Sequence, residues 1–292
     1  MKNYIVRVIS EQANVIGLAC VTTDLVNESC RLHGAYPTAC AALGRALTGG
    51  ALMAALLKLG QRLALKLEGN GPLRKIIVEA DYAGNVRGFV GVPEVDLPPK
   101  NGKFDVAGAV GTEGVLTVIK DTGRKELYNG VVRIRTGEIA EDIAHYFAES
   151  EQIPTAVALG VYMEPSLDIT AAGGFLVQSL PPSDENMIDR LIGNIGKLPP
   201  YTQMLFSGQA PEDILEAIFS GIPYATLERH ELFYRCTCSR ERIERVLVSL
   251  GREELADMVD KQGKADVTCE FCRKSYHLSG RELLALLDSM QD

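Results

Sequence analysis

Apolar residues alternate or run together over Tyr4 to Ile9 and Val15 to Thr23, with β-branched side chains prominent, and this predicts two strands. From Thr38 to Leu59 the chain is apolar nearly all round and rich in Ala, Leu and Met, with Pro37 placed as a first-turn proline. That pattern predicts a helix buried on every side. Further strands are expected at Arg62 to Glu68, Leu73 to Ala80, Val86 to Val92 and Gly114 to Lys120, separated by turn chemistry such as Gly69-Asn70-Gly71-Pro72. Val131 to Arg135 adds another strand. Ile139, Ile143, Tyr146 and Phe147 then recur at helical spacing, and Thr155 to Met163 and Leu167 to Leu180 read as two last strands. Without alternating βαβ units, this order predicts an α+β fold with mostly antiparallel sheets around a buried central helix.

The pattern changes at Pro181-Pro182-Ser183. Met187, Ile188, Leu191, Ile192 and Ile195 form one stripe of a short helix, and Ile214, Leu215 and Ile218 form another after Pro211. Neither has a core of its own, so both must lie on something. Two more helices end at Gly251 and Gly263, and Val267 to Phe271 and Lys274 to Leu278 read as strands flanking a turn. Ser279 and Glu282 make a capping box before a leucine-rich last helix. The expected division is an N-terminal α+β core at 1–182, a helical linker at 183–230 and a small C-terminal domain at 231–292.

Composition adds constraints. With 46% hydrophobic residues in 292 there is ample material for a large core plus an appendage. Formal charge is -8 and no segment is basic, which argues against a nucleic-acid partner. The stretch from Ala39 to Leu57 is interrupted by Arg45, Thr48 and Gly49-Gly50, so no membrane partner is expected. Nothing near the amino terminus looks like an export signal, and the expected location is cytoplasmic.

The chemistry gathers in the tail. Cys236 and Cys238 stand thirty residues before Cys269 and Cys272. Two such pairs supply the four thiolates of a closed zinc shell, one ion per chain, with no open position for an activated water. Arg235, Arg240, Arg273 and Lys274 lie beside these cysteines in sequence and are expected to favour thiolate over thiol. Cys20, Cys30 and Cys40 read as buried small hydrophobes. His33, His145, His230 and His277 are scattered; His277 is expected at the surface, and no catalytic constellation is found. Three readings follow from the cysteines: a static zinc knuckle serving as an interaction module, a thiol-disulfide oxidoreductase, and a redox sensor. The oxidoreductase is disfavoured because Cys269-Glu270-Phe271-Cys272 lies between strands instead of opening a helix.

Phe233-Tyr-Arg-Cys-Thr-Cys-Ser-Arg-Glu-Arg-Ile243, Leu250-Gly-Arg-Glu-Glu-Leu255 and Val267-Thr-Cys-Glu-Phe-Cys272 with Tyr276 closely resemble the redox-switch tail of the 33-kDa heat-shock chaperonin family. Gly69-Asn-Gly-Pro-Leu73, Val86-Arg-Gly88, Gly137-Glu-Ile-Ala-Glu-Asp142, Ser150-Glu-Gln-Ile-Pro-Thr155 and Ala172-Gly-Gly-Phe-Leu-Val-Gln178 are similar to its other signatures, so the likeness spans nearly the whole chain. The resemblance implies an ATP-independent holdase, not an enzyme, that protects unfolding proteins under oxidative and heat stress. It implies inactivity while reduced and zinc-bound. Activation would come with disulfides joining Cys236 to Cys238 and Cys269 to Cys272, and with release of zinc. It further implies unfolded clients, a homodimer in the active form with 1–182 as its dimerisation domain, and ATP-dependent foldases downstream.

Overall fold

A computed structural model describes residues 2–290 and divides the chain into two compact units, Met1–Arg235 and Cys236–Asp292. The first unit opens with β1 (Tyr4–Ser10), β2 (Val15–Val21), α1 (Thr23–His33) and α2 (Pro37–Ala54). It continues through β3 (Arg62–Gly69), β4 (Lys75–Asp81), β5 (Asn85–Val90), the short α3 (Val106–Val110), β6 (Gly114–Asp121) and β7 (Tyr128–Arg133). Next come α4 (Ala140–Tyr146) with a π-helical turn, β8 (Thr155–Met163) and β9 (Ile169–Ser179). Three helices, α5 (Glu185–Ile195), α6 (Tyr201–Phe206) and α7 (Pro211–Ile218), lead to β10 (Ala225–Glu231) and β11 (Phe233–Tyr234). The expected α+β class holds.

These strands make two sheets. One has the order β10-β1-β2-β9-β8 and is antiparallel throughout. The other, β11-β5-β4-β3-β6-β7, is antiparallel except where β11 joins β5. Between them runs α2, packed on β3, β4 and β5 on one side and on β8 and β9 on the other. Sixteen of its eighteen residues are buried, which explains why its pattern has no polar face. Close approach depends on its glycines: a Cβ on Gly49 would sit 2.5 Å from Ile143 Cδ1, and one on Gly50 2.6 Å from Val78 Cγ1. Arg45, the single charge on this helix, is paired with Glu138.

The first sheet is buried on both faces. Ile5, Leu18 and Cys20 point toward α2, whereas Tyr4, Val6, Val8, Ala19, Val21, Phe175 and Val177 point the other way, under α5, α6 and α7. Period-two side chains therefore read as an unbroken apolar run. The expectation that the short helices must lie on something is met here. Tyr201 donates a 2.9 Å hydrogen bond to the Cys20 carbonyl, and Tyr4 donates one of 2.7 Å to Glu212. Phe219 packs so closely on β2 that a Cβ on Gly17 would lie 2.5 Å from its ring.

Three differences from the sequence reading have physical causes. Helix α1 was not expected, because the apolar run of β2 passes into it at Thr23 with only Thr22 between; Leu25, Val26, Ser29, Cys30 and His33 are its buried side. Helix α2 ends at Ala54, short of Leu59, which is 82% exposed. Strands β10 and β11 were missed as well, since Ala225–Glu231 is mostly exposed and polar and is held by pairing with β1, which local pattern cannot show.

The second unit comprises α8 (Arg240–Ser249), α9 (Arg252–Gln262), the hairpin of β12 (Lys264–Thr268) and β13 (Ser275–Ser279), and α10 (Gly280–Ser289). Its core has seven buried side chains: Ile243, Leu247, Leu255, Ala265, Tyr276, Leu278 and Leu283. Among the described residues no helix is long and apolar enough to cross a membrane.

One buried polar group tests the packing of the first unit. The fully buried Asp142 carboxylate accepts from the backbone N–H groups of Arg135 (2.8 Å), Thr136 (3.0 Å) and Ile139 (3.2 Å), the last held at φ 65°. Asp142→Ala would leave three donors unpaired and should cost about 3 to 5 kcal/mol. Asp142→Asn, which keeps one acceptor oxygen, should lose roughly half of that. Urea midpoints of the two variants measure both.

Candidate metal centre

Two short segments build the site. Cys236 and Cys238 precede Ser239, the N-cap of α8, whose hydroxyl accepts from the Arg242 N–H. Cys269 and Cys272 stand in the turn between β12 and β13. There the Cys269 N–H donates to the Lys274 carbonyl at 2.9 Å and the Arg273 N–H donates back to the Cys269 carbonyl at 2.8 Å. Arg273 closes the turn in the left-handed region at φ 58°. The hairpin thus aims two sulfurs at the two that precede α8.

All four Sγ atoms lie within 4.8 Å of one another, and all four residues are half-buried. Cys236 Sγ is 3.7 Å from Cys269 Sγ, and Cys238 Sγ is 3.4 Å from Cys272 Sγ. A tetrahedron with metal-sulfur bonds of about 2.3 Å has edges of about 3.8 Å, so the donor set has the size and chemistry to hold one soft divalent ion. The four cysteines could hold a metal.

Electrostatics show why four sulfurs in this space call for a cation. Burial works against the Cys238 thiolate, but the Tyr276 hydroxyl at 3.1 Å and the neighbouring thiols outweigh it and bring this thiol down to about 7. Cys272 moves the opposite way, up to about 12, because it is buried and sits beside Cys238 and Cys236. Cys269 is also raised, by burial and by Cys236. The first thiolate is favoured and the next ones are opposed. Only a positive charge among them lets all four ionise together.

Three of the four cations expected beside the sulfurs are engaged with other groups. Arg240 pairs with Glu244 and Glu282, Arg273 with Glu270, and Lys274 stacks over the Tyr276 ring at 5.2 Å. The group that does favour a thiolate is Tyr276, whose role the sequence reading missed; its place on β13, two strand positions from Leu278 on the buried face, was the available signal. His277 is exposed and paired with Asp266 at 2.6 Å, as its expected surface position requires. His33 is instead buried, its Nε2 3.1 Å from the Gly88 carbonyl. Cys20 is fully buried and its thiol is pushed up to about 12 by burial, in keeping with a small apolar residue. Cys30 and Cys40 are not the simple core thiols expected: they form a disulfide, because the corner between α1 and α2 brings their Cα atoms to 5.5 Å.

These shifts give the metal-free tail a distinct pH profile. Cys238 is lower in the folded state than the ordinary 9.0, so its contribution is complete above about 9 and is lost as pH falls through about 7. Cys272 is higher when folded, so its contribution is lost as pH rises from about 9 toward about 12. In chelator, the small fraction of the tail that stays folded should rise between pH 7 and 9 and fall above it, as read by circular dichroism of the metal-free state against the metal-bound protein. Cys238→Ser should flatten the lower limb.

Comparison with known proteins places the chain. The family model described as Hsp33 protein matches residues 3–279. A 33 kDa chaperonin of Geobacter sulfurreducens is 57% identical over 288 residues, covering 99% of this chain and 96% of the relative. That of Desulfotalea psychrophila is 48% identical, covering 100% and 99%. The crystal structure of a 33 kDa chaperonin (heat shock protein 33 homolog) from Thermotoga maritima superimposes with a TM-score of 0.91 at 38% identity over 100% of both chains. Matched by the family model over nearly its whole length and by relatives of up to 57% identity, the chain belongs to the Hsp33 family of chaperones.

Proposed function

We propose that the protein is a redox-regulated, ATP-independent holdase of the cytoplasm. It binds unfolding proteins under oxidative and heat stress and turns over no substrate. The observation that carries this reading is the four-sulfur cluster on a tail whose core holds only seven buried side chains. Zinc is the ion proposed, one per chain, on Cys236, Cys238, Cys269 and Cys272; bound there it would neutralise the thiolates and tie the β12–β13 turn to the segment before α8. Structural zinc contributes about 10 to 16 kcal/mol in small metal-folded units, whereas a core of this size supplies only a few. Oxidation of Cys236 with Cys238 and of Cys269 with Cys272 consumes the ligands, so the ion leaves and the tail melts.

The client surface proposed is the outer face of the first sheet, together with the helices of the 183–230 linker that cover it. That cover is shallow at α5, where Leu191 is the single fully buried side chain and Ile192 is 62% exposed, and firmer at α6 and α7. Lifting α5 to α7 would bare Tyr4, Val6, Val8, Phe175 and Val177, a contiguous apolar patch of the kind that captures partly folded chains. A homodimer through the first unit is the proposed active form, with ATP-dependent foldases receiving the clients.

Hydrogen peroxide with mild warming should convert the reduced protein from inert to able to suppress aggregation of a denatured client, while zinc appears in solution. A static zinc knuckle would release no zinc and gain no activity. Metal analysis of Cys269→Ser checks the ligands: the variant should lose tight, stoichiometric zinc, and its retention would refute the assignment.

A truncation tests the coupling. Because β10 and β11 belong to the sheets of the first unit, the cut falls after Arg235. Removing 236–292 should raise client binding without oxidant and make bonds between Ser183 and His230 early proteolysis sites. In the reduced full-length protein those bonds should resist. Equal resistance in both forms, with full holdase activity, would place the client surface elsewhere.

A further inference from the structure

The disulfide in the first unit takes no part in this switch. Cys30 stands in the last turn of α1 and Cys40 in the first turn of α2, ten residues apart, with Cα atoms 5.5 Å from each other. The corner between them is held by its own backbone bonds. Gly34 caps α1 in the left-handed region, Ala35 N–H donates to the Cys30 carbonyl at 3.0 Å, and Tyr36 N–H donates to the Pro93 carbonyl at 2.8 Å. Cys40 N–H then donates to the Tyr36 carbonyl at 2.8 Å. None of these needs the sulfur-sulfur bond, so two thiols produced by reduction would stay side by side.

Both cysteines are buried, at 8% and 2% exposure, but they border open space. Both cysteines line a groove of about 460 Å³, bordered by Asn27, Arg31, Met163, Asp168 and Ile169, which has the volume of a small-molecule site. Cys20, on the neighbouring β2, is fully buried and stands outside that groove. Position on the helices separates the two sulfurs chemically: the N-terminal turn of α2 favours a thiolate on Cys40, and the C-terminal turn of α1 disfavours one on Cys30. Arg31 adds a positive charge to the groove rim.

We propose that Cys30 and Cys40 are a second dithiol-disulfide couple, closed by a hydroperoxide and opened by a small thiol through this groove, and independent of the tail cysteines. In closing, the Cys40 thiolate attacks the peroxide and becomes a sulfenic acid with loss of water. The Cys30 thiol then displaces the sulfenic oxygen as a second water, so two thiols and one hydrogen peroxide give one disulfide and two waters. In opening, one small thiol forms a mixed disulfide with one cysteine and frees the other, and a second small thiol releases the first as an external disulfide. Metal coordination shields the tail thiols but not these two, so the corner closes under milder oxidation than the tail.

The test uses the folded full-length protein. It is treated with excess dithiothreitol, desalted and divided, and one half receives hydrogen peroxide at low excess; both are alkylated in denaturant and cut with trypsin. Cleavage after Arg7, Arg31 and Arg45 places Cys20 and Cys30 together in peptide 8–31 and Cys40 in peptide 32–45, so the bond appears as one joined mass carrying one alkyl group, which fragmentation of the joined peptide assigns to Cys20 or to Cys30. The joined mass should fall at least tenfold on native-state reduction and return with peroxide while metal content is unchanged, with Cys20 alkylated throughout. A bond that survives reduction of the folded protein, thiols that stay alkylatable after peroxide, or a mass joining Cys20 would each overturn the proposal. Cys30→Ala with Cys40→Ala should leave peroxide-driven metal release from the tail at its wild-type rate. A change in that rate overturns the independence of the couple, and an absence of metal release in both proteins would strike the tail switch and not this pair.

Discussion

Four sulfurs that share a few ångströms of half-buried space cannot all carry a charge unless a cation lies among them, and the tail is built on that constraint. One thiol is drawn to about 7 by Tyr276 and its neighbours while another is driven to about 12, which is the signature of ionisations that oppose one another. A larger core could tolerate such a conflict. Here the apolar side is seven residues, and the hairpin and the α8 N-terminus that carry the sulfurs are the same elements that complete that core. A cation bound there would join local fold and thiolate chemistry in one equilibrium, so that whatever consumed thiolates would act on the fold.

The first unit rests on a different principle. Its central helix is enclosed by two sheets and has glycines wherever a neighbour comes close, so it has no alternative place to go. The outer face of the first sheet is covered differently. Strands β1, β2 and β9 show apolar residues on both faces, and the second face is closed by short helices, of which α6 and α7 bury Tyr201, Met204, Leu205, Ile214, Leu215 and Ile218 while α5 buries only Leu191. A cover made of separate short helices, with its weakest member at α5, lets the same sheet serve as scaffold and as a reserve of apolar surface.

Legibility in the sequence followed the range of the interactions involved. Helix α2, the meander from β3 to β5 and the four tail cysteines were readable because each is specified locally, by composition, turn residues or ligand spacing, whereas the return of β6 to pair with β3 was not. Helix α1 was hidden because β2 passes into it with no glycine or proline between them, and β10 because its partner β1 lies more than two hundred residues away. Tyr276 as the partner of Cys238, and Cys30 with Cys40 as a bonded pair, needed three-dimensional proximity. The arginines beside the cysteines misled for a related reason: adjacency in sequence did not compete with the carboxylates that the fold places nearer.

Seven cysteines thus fall into three environments, and the environment decides the chemistry in each. Cys20 is fully enclosed and its thiolate is opposed by desolvation, so it behaves as a small apolar side chain. The tail four are half-exposed but mutually constrained, so a cation bound among them would govern their reactivity and, in the proposed switch, tie their oxidation to unfolding. Cys30 and Cys40 are buried too, at 8% and 2% exposure, but a backbone corner keeps them adjacent and they line a groove that Cys20 does not. Because that corner does not depend on the bond, exchange there can proceed without disturbing the sheets, whereas exchange in the tail cannot proceed without disturbing the tail. A single oxidant would therefore meet one couple that changes covalent state within a rigid frame and another whose covalent state sets the frame itself.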